Sequence, residues 1–177
     1  MGKIKDLEFV KTDAQECDIF FDKEQKKIIV RMCAYCFSRG WDCCKGTEKD
    51  IPLTSQQTSN DSSFNVKKYF DCDATGSPYI PCGTKCRNLG DKSCKLAIKN
   101  RPLPCNIFPF VVCEGSFLAV DFGMCSAVSQ HTLKHLYEVG KELLQYLMQT
   151  YTKEELQNVS YKQANGMVNL GLYLDYD

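Results

Sequence analysis

The stretch IFPFVVCEGSFLAVDF, residues 107–122, decides how the chain is organised. Its two apolar runs, IFPFVVC and SFLAVDF, are rich in β-branched and aromatic residues and flank Glu114-Gly115. That pattern predicts an antiparallel hairpin closed by a two-residue turn. Just beyond Cys125 the period changes. In AVSQHTLKHLYEVGKELLQYLMQ, residues 127–149, Leu133, Leu136, Tyr137, Gly140, Leu143, Leu144, Leu147 and Met148 recur at helical spacing. A long amphipathic helix is expected there. KEELQN then offers one more turn, and GMVNLGLYLDY a final strand or extended tail.

Toward the N-terminus the signals weaken. DCDATGSPYIPCGTKCRNLGDKSC, residues 71–94, is rich in Gly, Pro and Asp and shows almost no periodicity. Something other than an apolar core is expected to order it. Before it, VKKYF predicts a short helix that Asp61 or Ser62 would cap, and the polar run from Gly46 to Asn65 predicts a loop. Earlier still, ECDIFF and KIIVRMC are strand-like runs separated by DKEQK. They predict a first hairpin that delivers Cys33 and Cys36 at the end of its second strand. The fold class expected is therefore α+β. It would be one small domain, with an irregular cysteine-rich core over 17–126, a C-terminal helix over 127–149, and a short helix and strand or tail over 150–177.

Charge excludes some partners. Lys+Arg and Asp+Glu stand at 22 each, so no basic field gathers nucleic acid or anionic lipid. The locally basic KCRNLGDKSCKLAIKNR lacks the interleaved aromatics that stack bases, and is expected to be a solvated face. No run approaches the ~20 apolar residues of a membrane span. MGKIKDLEFVKTDAQE has no apolar signal region, which leads to the expectation of a cytoplasmic, reducing location. No P-loop or GxGxxG is present to bind nucleotide phosphate.

The anomaly is 12 cysteines. Four of them fall in CAYCFSRGWDCC, residues 33–44. A CxxC pair such as Cys33 and Cys36 places two thiolates on one tight turn, where both can reach the same ion. Further thiols follow at Cys43, Cys44, Cys82, Cys86, Cys94 and Cys105. In a reducing compartment such a set points to metal or a cluster rather than disulfides. Soft sulfur ligands select zinc or iron–sulfur over magnesium or calcium. With only two histidines in the chain, cysteine must dominate the sphere. A disulfide-stapled binding module and inert packed thiols remain the alternatives.

The order CxxC…CC, then Cys86-RNLGDKS-Cys94, then KLAIKNRPLP-Cys105-NIFPF and a late Cys125 resembles the YkgJ-type zinc- or iron-chelating domain. The resemblance spans residues 33–126, and CKLAIKNRPLPCNIFPF is its most specific segment. It implies that Cys33, Cys36, Cys43, Cys44, Cys86, Cys94, Cys105 and Cys125 chelate metal. The family's box usually has two residues where this chain has six between Cys36 and Cys43, Trp41 among them. Cys17, Cys72, Cys82 and Cys113 match no family position. Flagellin lysine N-methylases resemble the family in this box, which implies a cluster-assisted methyl transfer from S-adenosylmethionine as an alternative function.

Two other groups stand out. Arg101, in NRPLPC, could donate to backbone carbonyls or to a sulfur, with a structural role favoured. His131 and His135, four apart, would share one helix face with Glu138, as in His/His/carboxylate sites, or else sit on the solvated flank.

Overall fold

The computed structural model describes residues 19–30, 50–54, 66–90 and 94–176. The described chain is α+β: one long helix, several short ones, and antiparallel strands arranged in three separate sheets. The first sheet is the N-terminal hairpin of β1 (Ile19–Asp22) and β2 (Lys27–Val30). Asp22 closes its turn by accepting from the backbone N–H groups of Glu24 and Gln25 through Oδ1. Cys33 and Cys36, expected just past β2, lie outside the described residues, as do Cys17, Cys43 and Cys44.

The second sheet orders β3 (Ile51–Pro52), β5 (Pro78–Ile80) and β4 (Asp71–Cys72), with β5 in the middle. A four-residue helix α1, Val66–Tyr69, precedes β4; its expected caps Asp61 and Ser62 lie outside the described residues. Two expectations change here. The polar run 46–65 is not all loop, because Ile51 and Pro52 pair with Ile80 and Tyr79. The middle of the chain also has a small apolar cluster of its own: Phe70, Ile80 and Leu96 are buried, with Leu53, Cys86 and Cys94 packed against them. Periodicity missed it because its members come from separate turns and two- or three-residue strands, too short to show a repeat. The buried Asn88 stitches these turns together. Its Nδ2 donates to the Tyr69 carbonyl at 2.8 Å, and its own carbonyl accepts from the Lys95 N–H.

The third sheet, β6 (Phe110–Cys113), β7 (Phe117–Asp121) and β8 (Met167–Tyr173), carries the main core. The hairpin turn is three residues rather than two, since Cys113 pairs with Phe117 across Glu114, Gly115 and Ser116. Gly115 at φ 93° and Ser116 at φ 59° supply the left-handed bends that turn needs. Ile107 belongs not to the strand but to a short helix, α2 (Leu103–Ile107), which Pro102 and Pro104 start and which a cis Phe108-Pro109 bond separates from β6.

The sheet is buried on both faces, which explains why its strands are almost continuously apolar. Phe110, Val112, Leu118 and Val120 face the long helix α3, Leu133–Thr150, while Val111, Cys113 and Ala119 form a smaller cluster on the other face. The helix starts at Leu133, later than the expected 127, because Ser126–Gln130 forms a 3-10 turn and Thr132 caps α3 by accepting from the His135 N–H. Its buried stripe is Leu136, Val139, Gly140, Leu143 and Leu147; Leu133 and Tyr137, expected on the stripe, are exposed. At Gly140 the absence of a side chain matters: a Cβ there would stand 2.8 Å from Leu172 Cδ1 and 3.0 Å from Leu170 Cδ1. A second helix, α4 (Lys153–Asn158), opens with a capping box between Thr152 and Glu155. Among the described residues no helix is long and apolar enough to cross a membrane.

Candidate functional site: a cysteine-walled cavity

The second sheet, α2 and the far face of the third sheet enclose a cavity of about 280 Å³. Ile51 and Ile80 line it from the first of these, Cys86 from the chain after β5, Pro104 and Cys105 from α2, and Val111 and Met167 from the third sheet. Cys86 and Cys105, distant in sequence, thus border one space. Prolines fix the approach to Cys105: with both in place the backbone turns into α2 at once, and the Cys105 N–H reaches the Pro102 carbonyl at 3.0 Å. Arg101 secures the preceding turn by donating from Nε to the Leu96 carbonyl at 2.9 Å, the structural role expected of it.

The other described cysteines are dispersed. Cys94 forms an isolated bridge with Leu89 and, like Cys86, packs against the small cluster, but it does not line the cavity. Cys125 is buried in the main core, and Cys113 is wholly buried on the sheet's second face. Cys72 and Cys82 are exposed. No disulfide joins any two of the seven described cysteines. Among the described residues no three His, Cys, Asp or Glu side chains form a group able to hold a metal ion. Of the eight expected ligands, then, Cys86 and Cys105 share a cavity, and Cys86 and Cys94 pack against the same small cluster. Cys125 stands apart, and Cys33, Cys36, Cys43 and Cys44 lie outside the described residues. Thiols are soft donors, and two of them, the half-buried Cys86 and the exposed Cys105, border this cavity from different elements.

Tyr161 is a part of this site that sequence reasoning missed. Its backbone bridges to Cys113, its ring lines the cavity, and its hydroxyl donates to the Asp50 carbonyl at 3.3 Å. Asp50 in turn accepts the Cys82 N–H on Oδ1 at 2.8 Å. Burial raises the Tyr161 phenol far above its ordinary value, and the nearby Cys105 and Asp50 charges add to that effect. Nothing in the local pattern around SYKQ distinguishes this tyrosine; only the long-range pairing does.

His131 and His135 do not share a helix face with Glu138, the arrangement a His/His/carboxylate site would need. His131 precedes the cap Thr132, so only His135 lies on α3. Their rings stack at 4.8 Å, and His135 Nε2 meets the Ile19 carbonyl at 2.7 Å. Glu138 pairs instead with Lys141. The pair fastens the N-terminal hairpin to the long helix.

Compared with known proteins, the chain matches no family model, no curated relative and no solved structure.

Proposed function

We propose that the protein binds metal, holding zinc or an iron–sulfur cluster through a multi-cysteine set, with a structural, metal-handling or redox role. One observation carries this reading: Cys86 and Cys105, far apart in sequence, border the same apolar cavity. The cysteine order that resembles the YkgJ-type domain supports it, and adds Cys94, Cys125 and the box residues Cys33, Cys36, Cys43 and Cys44 as ligands. Zinc there would cross-link turns that have little core of their own; an iron–sulfur cluster would add one-electron chemistry. The surrounding apolar side chains would lower the local dielectric and strengthen the hold of thiolates on the cation.

The test is metal and sulfide analysis of full-length protein purified without oxygen and without chelator. Stoichiometric zinc, or iron with acid-labile sulfide, is expected, and Cys105→Ser should lower it. Fully folded protein with no bound metal would end this reading.

A further inference from the structure

The same cavity has a second polar feature, at the end of the third sheet. Asp121 closes β7, is 4% exposed, and lines the cavity together with Met124 and Met167. Its backbone pairs with Met167 on β8. Its Oδ1 accepts the Met124 N–H at 2.9 Å, and among the described residues no cation or other hydrogen-bond donor reaches the carboxylate. The turn that follows is tight: Gly123 lies so close to Gly166 that a Cβ on Gly166 would come within 2.9 Å of Gly123. The carboxylate is therefore held in place by backbone, on an apolar wall.

An ionised carboxylate can accept several hydrogen bonds, and one backbone N–H uses only part of that capacity, leaving room for a charged donor from the cavity. Capping the turn does not explain the charge, because an asparagine oxygen would accept the Met124 N–H equally well. A lone carboxylate also lacks the six to eight oxygens that a hard cation such as calcium collects. A ligand carrying its own N–H⁺ on an apolar body satisfies both the carboxylate and the walls of Phe108, Val111 and the two methionines.

We propose that this cavity binds small apolar amines, with the ammonium on Asp121 and the hydrocarbon body among Val111, Met124 and Met167. The proposal depends on Asp121 and not on the cysteines, so it survives if the metal reading fails.

The experiment compares benzylamine with benzyl alcohol, titrated into the full-length reduced protein carrying ¹³C-methyl methionine. The amine should shift the Met124 and Met167 methyl signals and bind roughly tenfold or more tightly than the alcohol, which corresponds to about 1.4 kcal/mol. Asp121→Asn keeps the turn's hydrogen bond and should remove that preference. Should this variant fail to fold, Ala164→Phe serves instead: it fills the cavity without touching Asp121, and should abolish binding of both probes. Equal binding of amine and alcohol, signal changes away from Met124 and Met167, or a preference that persists in Asp121→Asn would each overturn the proposal.

Discussion

The two halves of the described chain reach order by different means. Residues 107–176 have a large core: nine buried apolar side chains from β6, β7, β8 and α3 meet in one mass, and Leu118, Val120, Leu136, Leu143 and Leu147 are fully buried. Residues 66–106 bury fewer: Phe70, Ile80 and Leu96 form a small cluster under short turns, Leu89 is buried as well, and Leu103 joins the main core. What else holds those turns is polar and local. Asp73 accepts from Thr75 and Ser77, which lowers its carboxyl pKa; Arg87 pairs with Asp71; Asn88 bonds the Tyr69 carbonyl. Where hydrophobic burial is thin, each ordered residue still costs roughly 1–2 kcal/mol of backbone entropy. The cysteine-rich region thus has less apolar burial to draw on than its partner, and the proposed metal would add to it.

If the proposed metal is bound, removing it should separate the two regions most visibly. In hydrogen exchange on protein treated anaerobically with chelator, amides over 66–106 are expected to lose protection and those over 133–150 to retain it. Structural zinc in small peptides contributes on the order of 10 kcal/mol to folding, ample to order such a segment. Uniform loss in both halves would mean a single cooperative unit, and no loss in either would mean that the small cluster suffices alone.

The next effect is smaller and lies in the other half. Leu143→Ala, at a fully buried position in α3, should cost about 2–5 kcal/mol in a denaturant titration. Leu96→Ala, at the centre of the small cluster, should cost clearly less in metal-loaded protein, because fewer neighbours lose contact and the turns can close around the gap. Equal penalties would show that the two halves do not differ in the way their packing implies.

The same contrast explains what could be read from the sequence. The long helix was legible because its apolar positions repeat at helical spacing, and both hairpins and the final strand because their β-branched and aromatic runs are bounded by turn residues. Their ends were not. The start of α3 at Leu133 is set by Thr132 capping it after a 3-10 turn, and the hairpin turn gains a residue because Ser116 accepts a left-handed conformation. In the cysteine-rich half, β3, β4 and β5 are two or three residues long, so pairing partners decide them rather than local pattern. Cys86 and Cys105 were singled out as expected ligands by the cysteine order that resembles the YkgJ-type domain, not by any sign that they line one cavity. Asp121 and Tyr161 were not, since burial and pairing across the chain give them their character.

Tyr161 joins the halves, and its titration sharpens the comparison with the smallest expected effect. Its hydroxyl reaches the Asp50 carbonyl at the start of the second sheet, while its backbone bonds Val112 and Glu114 in the third. The fold raises its pKa, through burial first and then the charges of Cys105 and Asp50. Below the ordinary tyrosine value of about 10, folded and unfolded chains both keep the phenol proton and stability does not depend on it. Above that value the unfolded chain releases the proton and the folded chain does not, so stability declines as pH rises toward the folded pKa. The slope is at most about 1.4 kcal/mol per pH unit for one such group. Tyr151 is raised as well, chiefly by burial, within the well-packed half. In denaturant titrations between neutral and alkaline pH, Tyr161→Phe should therefore show a shallower decline than the wild type, though not a flat one. At neutral pH it should lose only about 0.5–1.5 kcal/mol, the usual net worth of one hydrogen bond. An unchanged alkaline slope would place the shifted phenol entirely in the second half and remove Tyr161 as the link between them.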